Sequence, residues 1–216
     1  MVGADALIAA VKAGDAATID RLVAAEPALA ATQEDGVSAV RIALYHRRPA
    51  ALEALLAAVP PLDGFDHAAL GWAEDLERDV AADPELVRRR AADGFTPLHL
   101  ACYLGGADAV RVLLEAGAEA NEPAGAGLRP LHSAAAARDA GSVQLLLAAG
   151  ADPDAQQAGG FTALHAAAQH DDEATAEALL RAGADPALRT DDGGDAAGLA
   201  RAAHATAVLA LLGEPG

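Results

Sequence analysis

The tetrapeptide Thr96-Pro97-Leu98-His99 returns every 33 residues, as Arg129-Pro130-Leu131-His132 and as Thr162-Ala163-Leu164-His165. A second motif keeps the same interval: Gly117-Ala118-Glu119, Gly150-Ala151-Asp152 and Gly183-Ala184-Asp185. A fixed period of this length constrains the fold more than any other feature of the chain. Each unit buries apolar surface only against its neighbours, so the expected product is a quasi-linear stack rather than a sphere with one central core.

The clearest unit runs from Gly94 to about Asn121. Thr96 is placed to cap an inner helix whose first turn holds Pro97, where a missing N–H costs nothing. Ala101 and Cys102 keep that helix thin, and Gly105 is expected to end it in the left-handed conformation. Val110, Leu113 and Leu114 recur at helical spacing on an outer helix that Gly117 ends, and residues 118–128 form a connecting finger. Columns confirm the register: Leu113, Leu146, Leu179 and Leu212 are spaced by 33, as are Gly117, Gly150, Gly183 and Gly216. Units therefore start near Gly94, Gly127, Gly160 and Gly193. In the last, the motif has decayed to Asp195-Ala196-Ala197-Gly198, as expected of a cap with no further neighbour.

Upstream the pattern is weaker. Residues 6–13 and 16–25 form a helix pair around Gly14-Asp15. Gly36-Val37-Ser38-Ala39-Val40-Arg41 stands in for the motif, with Leu52, Leu55 and Leu56 on an outer helix. A shorter pair follows, residues 65–70 and 73–82. Glu26-Pro27-Ala28-Leu29 and Asp83-Pro84-Glu85-Leu86 echo each other as outer-helix closures. The reading is all-α, a solenoid of about seven helix pairs with short connecting fingers. It forms one domain over 1–216: divergent repeats with an N-terminal cap over 1–93, regular repeats over 94–191, and a C-terminal cap over 192–216.

Composition narrows the function. The net charge of −17 opposes phosphate backbones, which argues against nucleic acid and leaves a basic protein surface plausible. Cys102 is the only cysteine, so the chain holds no internal disulfide and no cysteine metal set. Residues 1–5 lack the basic start of a signal peptide. No charge-free apolar run is long enough for a membrane span. A monomer in the cytoplasm is expected. The abundance of Ala, Gly, Arg and Pro points to a GC-rich bacterial genome.

These repeats resemble those of ankyrin proteins, with bacterial ankyrin-repeat proteins as the implied source. The likeness is strongest from Gly94 to Ala187. It implies concave stacks of helix-turn-helix units with projecting fingers, and protein binding without catalysis, metal or cofactor. It also implies that His99, His132 and His165 hydrogen-bond locally. As metal ligands they are spaced at about 10 Å, the distance between packed helices, against about 2.1 Å for a bond to zinc. Arg129 replaces the threonine beside His132, so that local bond is expected to be lost. His170-Asp171-Asp172-Glu173 reads as a capped helix start, and Asp191-Asp192-Gly193-Gly194-Asp195 as a finger tip rather than a calcium loop.

Functional residues are sought where a repeat has no structural need of them. Two positions that follow the small pair face the concave surface in ankyrin domains. They hold Tyr45 and His46, Tyr103 and Leu104, Ala136 and Ala137, and Gln169 and His170. Trp72 lies near the corresponding turn of the third unit, and Phe95, Leu128 and Phe161 precede the motifs. Aromatics make up only 3% of the chain, and they are enriched at interface cores. The candidate partner-binding set is therefore Tyr45, His46, Arg47, Trp72, Phe95, Tyr103, Leu104, Phe161, Gln169 and His170. Arg47-Arg48 and Arg88-Arg89-Arg90 add basic spots suited to an acidic partner segment. The expected function is non-enzymatic protein binding by the concave face and fingers. The alternative is a regulatory or inhibitory subunit that covers a basic site with its acidic surface.

Overall fold

The computed structural model describes residues 2–213. Among the described residues, seven helix pairs follow one another. They are α1 (Val2–Ala13) with α2 (Ala16–Ala25), α3 (Ala39–Tyr45) with α4 (Pro49–Ala57), and α5 (Gly64–Leu70) with α6 (Ala73–Ala82). Next come α7 (Pro97–Leu100, continuing as a π-turn, Ala101–Gly105) with α8 (Ala107–Glu115), and α9 (Pro130–Ala137) with α10 (Ala140–Ala148). The last two pairs are α11 (Ala163–His170) with α12 (Glu173–Arg181), and α13 (Ala196–Ala203) with α14 (Thr206–Leu211). The first finger is a short antiparallel hairpin, β1 (Gln33–Glu34) with β2 (Val37–Ser38).

Local chemistry sets the starts and stops. Ser38, Asp63, Thr96, Thr162 and Asp195 each accept a hydrogen bond from the backbone N–H three residues on, which satisfies an otherwise orphan donor. Asp15, Asp139 and Asp172 do the same for outer helices. The two Pro-containing echoes are equivalent: Pro27–Ala31 and Pro84–Arg88 are 3₁₀ turns entered from Glu26 and Asp83 with φ of −144° and −141°.

Leu113, Leu146 and Leu179 are fully buried between successive pairs. The stack thins where it must, because Ala101, Ala134, Ala135, Ala167 and Ala168 are also fully buried and bring inner helices close. Gly117, Gly150 and Gly183 end outer helices at φ of 87°, 84° and 93°. The final repeat starts in register but ends early. Leu212 is only half-buried, Gly213 takes the positive φ of 74°, and Gly216 lies outside the described residues.

One expected helix stop is corrected. Gly105 does not take a positive φ; Gly106 does, at φ of 90° with ψ of 177°, an extended glycine-only conformation rather than the left-handed helical one. The reason is a backbone-to-backbone approach between the third and fourth units. A Cβ on Gly105 would stand 2.0 Å from the Ala68 carbonyl oxygen, and one on Gly71 would stand 2.2 Å from the Gly105 carbonyl oxygen. The helix accommodates this approach through its π-turn, closed by the Gly106 N–H donating to Ala101 O at 2.8 Å.

The motif histidines tie each inner helix to the following finger. Nε2 of His99 donates to Leu128 O at 3.1 Å, that of His132 to Ala155 O at 2.9 Å, and that of His165 to Leu188 O at 3.1 Å. On the other ring edge, Thr96 O–H donates to His99 Nδ1 at 2.8 Å. At Arg129 the hydroxyl contact is gone, yet the backbone N–H of Arg129 still donates to His132 Nδ1 at 3.0 Å. Fully engaged nitrogens satisfy buried carbonyls that would otherwise be costly.

Arg41 and Asp66 occupy the same position, three residues after the cap, in the second and third units. The link from the second unit to the third is only residues 58–63, too short for an ordinary finger, so Arg41 closes on the next unit's Asp66 instead. Arg41 Nε donates to Asp66 at 2.9 Å, both side chains are 2% exposed, and Ser38 O–H donates to the same carboxylate. The guanidinium lies over the Phe65 ring at 5.7 Å, and its Nη1 has no hydrogen-bond partner among the described residues. This polar seam coincides with a break in the apolar core. One cluster spans Leu7 to Leu55 and the other Ala68 to Leu209, and Leu44 touches both.

Candidate functional site: an aromatic-lined groove

Four columns of residues, each spaced by one repeat, converge on the concave side. The fingers contribute Phe95, Leu128 and Phe161. The motif histidines His99 and His132 present their rings. The floor is Leu100, Ser133 and Ala166, and the far wall is Tyr103, Ala136 and Gln169. They enclose a groove of about 400 Å³, mostly apolar. Its cause is legible in the columns. Ala136 is exposed and stands between Tyr103 and Gln169, and the floor shrinks from Leu100 to Ser133 and Ala166. A missing side chain in the middle of the wall leaves a hole.

Tyr45 and Asp93 close one end. The Tyr45 hydroxyl donates to the Asp93 carboxylate at 2.7 Å, joining the second unit to the finger ahead of the fourth across 48 residues. Burial, then this bond, raises the Tyr45 pKa, so the phenol remains a donor. Phe95 and Phe161 are held by tilted contacts with His99 and His165 at 5.9 and 5.3 Å between ring centres.

The structure brings together Tyr45, Phe95, Tyr103, Phe161, Gln169 and His170 from the sequence-derived set. The other four do not line the groove. His46 and Arg47 are exposed at the end of α3, where Arg47 takes a left-handed φ of 52°. Trp72, 39% exposed, stacks on His67 at 5.9 Å. Leu104 is half-buried against the core. Asp93, Ser133 and Gln157 line the groove and were not foreseen. Asp93 and Gln157 could have been reached from their place in the fingers that carry Phe95 and Phe161.

The basic finger is largely spent within the protein. Arg88 pairs with Glu85, Arg89 with Asp83, and Arg90 with Glu122 and the Gly94 and Pro123 carbonyls. Arg48 Nε donates to Lys12 O at 2.8 Å.

The geometry suits recognition. Burial lowers the pKa of His99, His132 and His165, keeping the rings neutral. The Cys102 thiol is fully buried and its pKa is pushed well up, which suppresses the reactive thiolate. Asp171 is committed to capping α14, accepting from the N–H groups of Ala207 and Val208 at 3.0 and 3.1 Å.

A family model described as ankyrin repeats, three copies, matches residues 76–157 and 117–190. The chain belongs to the ankyrin-repeat family. Ankyrin repeats are in general protein–protein interaction modules, and no catalytic family is indicated. No curated protein matches the chain. The matched span contains every groove-lining residue except Tyr45, so the candidate site belongs to the repeats themselves. Among the described residues, no helix is long and apolar enough to cross a membrane.

Proposed function

We infer that this ankyrin-repeat chain is a non-enzymatic binding module that takes a partner protein in its concave groove, as one domain over residues 1–216. The carrying observation is the apolar groove formed by Tyr45, Phe95, Tyr103 and Phe161 in a chain otherwise poor in aromatics. Tyr103 is the principal anchor on this reading. It is 42% exposed at the middle of the array, and a rigid ring gives large contact area at low entropic cost. A monomeric, cytoplasmic protein whose partners are proteins rather than nucleic acid or membrane accords with the net charge of −17.

The inhibitory alternative, occlusion of a basic site, draws on that same charge and on the exposed acids of the outer helices, Glu74 and Glu77 among them. Salt separates the two. A partner held by apolar anchoring stays bound between 50 and about 500 mM salt, whereas one held by the acidic surface is released as the Debye length shrinks. Retention at high salt combined with loss on Tyr103→Ala supports the groove. Release by salt with Tyr103→Ala binding like wild type supports occlusion.

A further inference from the structure

The two edges of the groove carry opposite charge. Finger tips on one edge hold Asp93, Asp191 and Asp192, all exposed and, among the described residues, in no ion pair; Asp93 also accepts from the Tyr45 hydroxyl and the Phe95 N–H, and Arg90 and Arg189 fold back onto tip carbonyls and neighbouring acids. The middle tips, residues 125–127 and 158–160, are only Gly and Ala. The opposite edge, where inner helices end, holds Arg47 and Arg138, exposed and, among the described residues, without an ion pair. Two acids at these turns, Asp139 and Asp171, are engaged as helix caps. Between the edges lies the hole at Ala136.

We propose that the groove accepts a segment of another protein that places one apolar side chain of leucine or phenylalanine size in the hole at Ala136, flanked by lysine or arginine directed at the finger tips. The proposal deepens the binding reading above and rests on it. Three observations converge on this occupant. The hole is apolar and side-chain sized. The uncharged middle tips leave an unobstructed approach. The acids stand at both ends of the finger edge, with Asp93 on the groove wall and Asp191 in the finger adjacent to Gly159, whose carbonyl accepts its N–H at 2.8 Å. Complementary charge of this kind adds selectivity and association rate more than raw affinity.

The test uses a phage-displayed library of random 12-residue peptides selected on the full chain, followed by affinity measurements on the synthetic winners. The expected winners share one large apolar residue with Lys or Arg within three positions. They lose more than about 10-fold in affinity on Ala136→Phe, which fills the hole at an exposed position, and about 3-fold or more on the paired change Asp191→Lys with Asp192→Lys, less so at high salt. Circular dichroism and the unfolding midpoint of each variant, unchanged from wild type, exclude misfolding as the cause; Ala136→Leu serves if the phenylalanine perturbs the fold. Winners that need Tyr103 and the hole but show no basic bias, or ignore the aspartate reversals, overturn the proposal and leave the groove reading standing. Winners indifferent to both Tyr103→Ala and Ala136→Phe overturn both.

Discussion

Single residues in this chain are decided by what their polar atoms can reach. His99, His132 and His165 were expected to be local hydrogen-bonders, and each bridges its own helix start to a carbonyl of the following finger. That arrangement has a pH signature. Burial depresses their pKa in the folded state below the unfolded value near 6.5. The unfolded chain therefore binds more protons in that window, and stability rises with pH there. The contribution is fully present above about pH 6.5 and is lost as pH falls through the folded pKa values. Calorimetry at pH 6 should show protons taken up on unfolding, with the melting temperature falling from pH 7 to 5.5 more steeply than in a His99→Gln variant. Parallel curves for the two proteins would contradict the assignment. Tyr45 teaches a different lesson. Its concave position could be read from the repeat, but its bond to Asp93 joins residues 48 apart, and no local pattern encodes that distance.

At the scale of elements, helix starts and stops were legible because caps are short-range: Thr96, Ser38 and the Pro27 and Pro84 turns act within four residues. Gly105 was misread because its conformation answers to Gly71 of the preceding, shorter unit rather than to its own helix. The Arg41–Asp66 pair was missed for a related reason. Each residue looks like an irregular substitution until the two are seen in one column, where the short link after α4, in place of a finger, makes a charge pair the available partner. Removing one half of a buried pair leaves an uncompensated charge. Arg41→Met should therefore cost about 3–5 kcal/mol in chemical denaturation, and adding Asp66→Asn should recover more than half of the loss. Additive losses in the double variant would show that the two side chains act independently.

Across the whole molecule, the repeat makes stability a sum of neighbour interfaces. Leu146→Ala empties a fully buried position and should cost about 2–5 kcal/mol; an unfolding midpoint no lower than that of a surface Ala→Ser variant would contradict the register. The break in the apolar core at the Arg41–Asp66 seam divides the stack into the two clusters from Leu7 to Leu55 and from Ala68 to Leu209. Tyr45 crosses that break to reach the groove, so the groove's end wall depends on how the two clusters sit. The repeat columns could be read from sequence well enough to list Ala136 beside Tyr103 and Gln169. That a gap in the column becomes a groove follows only once the fingers bring Phe95 and Phe161 over it. Hydroxyl-radical footprinting of the chain with and without its bound partner tests the concave-groove account most directly. The account predicts strong protection of Tyr103 and Phe161 on binding, with Leu114 on the outer-helix side unchanged. Protection confined to the outer-helix residues, with Tyr103 as reactive as in the free protein, would contradict it.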